Sequence, residues 1–172
     1  MNTDDRHLLT RIRILIGIVI GGLIVSGITA FPLLHEVDLL HGWLIGSSMP
    51  APITGWIERV HAGLHATHLA YPFLPYGTDW LAFGHLVIAI FFIGPFVDPV
   101  RNVWCIRAGQ VACLLVIPTA LICGEIRGIP LWWRVIDSAF GVCGFLPLWL
   151  ANRLIRQLEP STRVTVPIGD AN

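Results

Sequence analysis

Four stretches of this chain stay apolar for about the length of a membrane crossing, at roughly residues 12–34, 80–97, 103–123 and 131–150. A hydrocarbon layer about 30 Å thick takes about twenty helical residues to cross at 1.5 Å each. Within it, a lone segment satisfies all its backbone N–H and C=O groups only as a helix. The pattern therefore predicts an all-α, polytopic membrane protein with four transmembrane helices forming a single domain over 1–172. The second stretch is interrupted by His85 and ends at Gly94-Pro95, and the fourth carries Arg134 and Asp137 near its start. Short linkers join the second stretch to the third and the third to the fourth, so those neighbours should run antiparallel. The only long connection is 35–79. Residues 151–172 are left as a tail, with 161–172 expected to be disordered.

Inside the long connection a second periodicity appears. Ile53, Trp56, Ile57, Val60 and Leu64 recur at spacings of three and four, which marks one stripe of a helix over 53–69. The segment is short and charged, so it reads as an interfacial amphipathic helix lying on the membrane surface between the first and second spans. His61, His65 and His68 fall together on one flank of the stripe, with Glu58 beside them.

Composition agrees with the pattern. The chain is 55% hydrophobic and 13% charged, with a mean hydropathy of +0.72, whereas a soluble domain is nearer 25% charged. A formal net charge of zero argues against nucleic acid as a partner. Every basic residue is arginine, and the absence of lysine excludes Schiff-base chemistry on a side-chain amine. Cys105, Cys113, Cys123 and Cys143 form no C-x-x-C pair and read as small apolar residues. The uncharged run before Phe31 is longer than the apolar core of a secretory signal and offers a poor cleavage site, so it reads as a retained first span.

Arginine placement sets the expected orientation. With both termini cytoplasmic, Arg6, Arg11, Arg13, Arg101, Arg107, Arg153, Arg156 and Arg163 lie inside, and Arg59, Arg127 and Arg134 lie outside. That is the bias of a multi-pass protein of the bacterial inner membrane. Tyr71, Tyr76, Trp80, Trp132 and Trp133 then gather at the outer boundary, as an aromatic belt does.

Ionisable groups inside spans are costly and point to function. On this topology His85 and Asp137 lie at nearly equal depth below the outer surface, and Arg134, one turn above Asp137, can pair with it at i,i+3. Gly141 and Gly144 continue that face as small residues that another helix could approach. With Asp79 and Arg127 at the same end, these residues outline an outward-facing polar cluster that either binds a ligand or locks helices together. At the inner face, Asp98 and Arg101 are expected to cap the turn in "GPFVDPVRNVW". For a metal, His61 and His65 at i,i+4 could share an ion, with Glu58 as a third candidate ligand. His68 is about 10.5 Å along the axis from His61, too far to join them.

The segments "SGITAFPL", "YPFLPYGTDWLAFGHLVIAIFFIGPFVDPVRN" and "RGIPLWWRVIDSAFG" resemble an uncharacterised family of small bacterial four-helix integral membrane proteins, over roughly residues 26–150. The resemblance implies the fold and the membrane location. The family has no known activity, so it implies no catalytic residue and no cofactor.

The residues contain no convincing nucleophile, phosphate loop or closed metal site. The expected function is a non-catalytic binding or accessory subunit whose polar cleft lies at the extracytoplasmic end. Its partners would be the lipid bilayer and another membrane protein or a second copy, with Gly17 and Gly21 as a GxxxG contact. The alternative is a redox component binding haem or quinone near His85. A proton or solute path finds no polar relay through the middle of the spans.

Overall fold

Pro32 is where the first apolar run stops being one helix. In the computed structural model, which describes residues 3–44 and 47–163, α1 (Thr3–Ala30) ends two residues before this proline, and α2 (Leu33–Leu44) begins just after it. The residue before a proline is pushed out of helical geometry, so the break is local in origin. The first span therefore starts earlier and stops earlier than the expected 12–34.

The other helices follow similar local rules. α3 (Ala51–Ala70) starts with Pro52 in its first turn, where a missing N–H costs nothing. It covers the helix expected at 53–69. α4 (Tyr76–Phe91) and the short α5 (Ile93–Val97) are one apolar stretch broken at Phe92. Pro95 accounts for the break, because its ring clashes with the carbonyl four residues earlier, that of Phe91. α6 (Val103–Ile126) tolerates Pro118 inside it. It ends where Gly128 takes a positive φ of 67°. There the Ile129 N–H bonds the Gly124 carbonyl at 2.9 Å and the Gly128 N–H bonds that of Glu125 at 3.0 Å. This is a Schellman ending, and it needs glycine at the left-handed position.

The longest element corrects an expectation. α7 (Leu131–Arg163) runs thirteen residues beyond the expected end of the fourth span, through a segment read as tail. The reason is a continuing stripe: Gly141, Leu148, Ala151, Ile155 and Leu158 are buried at spacings of three, four and seven. Residues 164–172, most of the expected disordered tail, lie outside the described residues.

All the described elements are helical. Four stretches are long and apolar enough to cross a membrane: Thr3–Ala30, Tyr76–Val97, Val103–Ile126 and Leu131–Leu158. Only 6 to 22% of the most apolar window of each is buried. Residues such as Ile18, Phe91, Leu115 and Phe140 turn outward, the reverse of a water-soluble core.

The chain divides into two units, Met1–Gly21 with Ala89–Asn172, and Gly22–Ile88. In the first, α6 and α7 form a close hairpin. A Cβ on Gly141 would lie 2.5 Å from the Cys113 carbonyl oxygen, and one on Gly144 would lie 2.8 Å from the Cys113 sulfur. The small stripe on α7 is therefore the face that meets α6. At the α5–α6 turn, Asp98 Oδ1 accepts the Arg101 N–H at 3.1 Å, as expected of a cap, and Asn102 donates to the Asp98 and Gly94 carbonyls. Arg13 donates from α1 to the carbonyls of Phe96 and Val97, both at 3.1 Å, satisfying the end of α5.

In the second unit, α2 and α3 form an antiparallel hairpin with Leu44 and Ile57 buried. α1 approaches α4 through Gly27, whose missing side chain admits the Ala82 backbone and Leu86. Gly21, the second glycine of the GxxxG pair and the last residue of the first unit's part of α1, has open space where a side chain would be.

Candidate functional site

The helix α2, absent from the sequence reading, supplies the missing half of the histidine site. It carries His35, Asp38 and His41 at successive spacings of three, so they share one face. That face lies against the histidine flank of α3. Asp38 Oδ1 is 2.6 Å from His65 Nε2 and 3.0 Å from His61 Nε2. The His41 ring stacks flat on His61, with centroids 4.1 Å apart and planes 10° apart. The His61 and His65 rings are 4.5 Å apart.

One donor atom from each of Asp38, His61 and His65 lies within 4.8 Å of the others, and each residue is only partly buried. Among the described residues this is the one set of three such side chains close enough to share an ion. Glu58, the third ligand suggested by the sequence, is exposed on α3 and does not belong to it. Because α2 covers the flank carrying His61 and His65, the carboxylate that reaches them comes from across the hairpin.

Hydrogen bonding from His65 is the main reason the Asp38 carboxyl sits below its ordinary pKa of 3.8. Lost hydration opposes the shift, and the charges on His65 and His61 add to it. A carboxylate with a lowered folded pKa contributes stability above its unfolded value and loses that contribution as pH falls through the folded one. The α2–α3 hairpin should therefore loosen below about pH 4. Hydrogen–deuterium exchange over 33–44 and 51–70, corrected for intrinsic rates, should show this in the native chain and not in Asp38→Asn. Equal acid sensitivity in the two proteins would refute it.

Beside the cluster is a cleft of about 530 Å³, bordered by Asp38, His35, His68 and Asp79 among apolar residues such as Leu34 and Leu64. Its size is that of a small-molecule pocket. It takes Asp79 from the residues expected to form an outer polar cluster, while His85 does not line it. His85, in the same unit on α4, donates from Nδ1 to the Leu81 carbonyl at 2.9 Å.

Arg134 and Asp137 belong to the other unit, and here the expected pairing fails. Arg134 reaches across to α6, where it pairs with Glu125 and donates to the Leu121 carbonyl at 3.2 Å. Its stem crosses Gly124, where a Cβ would clash with Arg134 Cδ and Cγ. The bare glycine backbone makes room for a contact that i,i+3 geometry on α7 did not suggest. Asp137 is half-buried, with no hydrogen bond to another described side chain. Arg127 is exposed and ends α6 through its backbone N–H.

The sequence signals for the missed residues were present. Leu33, Val37, Leu40 and Leu44 repeat at helical spacing and place Asp38 and His41 on a single face. Compared with models of protein families, with curated proteins and with solved structures, the chain matches none.

Proposed function

We propose that this chain is a multi-pass protein of a bacterial cytoplasmic membrane with both termini inside. It acts as a non-catalytic binding or accessory subunit, and the outward-facing α2–α3 hairpin is its binding element. Lipid covers its apolar helix faces, and a second membrane chain, its own or another, is the expected partner. The observation that carries this reading is the convergence of Asp38, His61 and His65 on a hairpin between two membrane-length helices. The arginine bias supports the orientation. The contact of Arg13 with the end of α5 supports the pairing of those two helix ends on one side, whichever side that is. α3 then lies at the outer interface.

The test uses reporter fusions. Alkaline phosphatase inserted after Ser48 should be active, and a fluorescent protein fused after Asn172 should fold and emit. An inactive insertion at Ser48 would overturn the orientation. Native mass spectrometry of gently extracted protein should then show added mass on the 19.0 kDa chain, and a bare monomer would overturn the binding role.

A second reading has one specific support. With its Nδ1–H committed to Leu81, the neutral His85 ring offers the lone pair of Nε2, the arrangement that orients a metal-ligating histidine. Haem iron or a quinol hydroxyl would use that lone pair. A Soret band lost in His85→Ala would favour haem, and a colourless preparation would remove it.

A further inference from the structure

We propose that the α2–α3 hairpin binds one borderline divalent transition-metal ion, of the Zn²⁺ class, through Asp38, His61 and His65. This deepens the reading of the hairpin as a binding element, and rests on it, by naming the ligand.

The donors set the ion class. Two imidazoles and one carboxylate suit zinc and its first-row neighbours, whereas calcium and magnesium prefer all-oxygen sites. Among the described residues no cysteine belongs to the group. His61 and His65 are one turn apart on α3, the i,i+4 spacing by which a helix presents two imidazoles to one ion. Asp38 arrives from the antiparallel helix, so the three donors are not collinear.

Distances make the site nearly preformed. Tetrahedral zinc with ligands at about 2.0–2.1 Å holds its donor atoms about 3.3 Å apart. Asp38 Oδ1 already lies 3.0 Å from His61 Nε2 and 2.6 Å from His65 Nε2. Opening by about 0.3 Å at His61 and about 0.7 Å at His65 admits the ion, once the protons between Nε2 and the carboxylate leave to solvent and each neutral ring keeps its one proton on Nδ1. Partial exposure of all three residues gives it a route in from water. Three protein ligands leave a fourth position for water or for an oxygen of a bound partner. Asp38 also borders the cleft, so that position has a neighbouring pocket.

The experiment takes the full chain in detergent, purified without a polyhistidine tag and stripped with a chelator. Zn²⁺ is titrated calorimetrically, and Co²⁺ is followed by its visible absorption. The expected result is one equivalent bound, with affinity falling on the order of 100-fold in Asp38→Ala, His61→Ala and His65→Ala, and unchanged in Glu58→Gln. Because a variant could fail to fold, the native chain carries a parallel readout. Zn²⁺ should shield His61 and His65 from diethylpyrocarbonate and leave His7 reactive. No binding, binding indifferent to the three ligands, or loss of binding in Glu58→Gln would each overturn the proposal. The titration is blind to membrane sidedness, so its failure is separate from failure of the Ser48 fusion, which tests the orientation.

Discussion

Gly141→Val should break the close pairing of α6 with α7 and lower the thermal midpoint in detergent by about 6–12 °C. The first atom of any side chain at this position would lie 2.5 Å from the Cys113 carbonyl oxygen and 3.1 Å from Val116 Cβ. A flexible side chain could rotate aside, but a helical carbonyl cannot, so the helices must separate along their contact. Overpacking a tight core commonly costs about 1–3 kcal/mol, and a backbone obstacle places this change at the upper end. In a chain of this length each kcal/mol moves the midpoint by about 2–4 °C. Gly63→Ala is the control, since a Cβ there meets nothing within 4 Å and alanine favours helix over glycine. Its midpoint should hold or rise. A Gly141→Val protein as stable as the parent would show that α6 and α7 do not meet along this face.

The second large effect separates two partners for one arginine. Arg134→Met should cost about 2 kcal/mol, because hydrogen bonds to a charged group contribute about 1.5–3 kcal/mol. The Glu125 share is discounted, since that side chain is 73% exposed while Arg134 is only 13% exposed. The midpoint should fall by about 4–8 °C. Asp137→Asn should leave it unchanged or raise it, because a half-buried carboxylate without an ion-pair partner among the described residues, in a helix apolar enough to cross a membrane, is a cost rather than a gain. If Asp137→Asn fell as far as Arg134→Met, the pair within α7 would be the real one and the cross-helix contact would be wrong.

These two sites mark how far the sequence could be read. The spans and α3 were legible because length, apolar content and 3.6-residue periodicity are local properties. Pro32, Pro95 and Gly128 ended or broke helices for reasons contained in a few residues. α2 was hidden by polarity: His35, Glu36, Asp38 and His41 interrupt a stripe of only four apolar residues. The length of α7 is not legible because polar residues at Asn152, Arg153 and Arg156 resemble a tail until the buried Ile155 is seen among them and Leu158 just after. For the candidate site, His61 and His65 were legible from their spacing on one helix. Spacing on α3 points to Glu58 as their carboxylate, whereas the one that reaches them is Asp38 of α2.

By itself, then, the sequence determined that the described elements are helical, that four stretches are long and apolar enough to cross a membrane, and that His61 and His65 share one helix face. Each of these depends on residues within a few turns of one another. Only the tertiary structure decided that Asp38 completes the histidine pair, that Arg134 answers Glu125 rather than Asp137, and that the glycines of α7 are the seat of α6. Those contacts depend on which helix face docks on which. Docking is chosen by side-chain volume and complementary polar groups far apart in the chain, which no local period records.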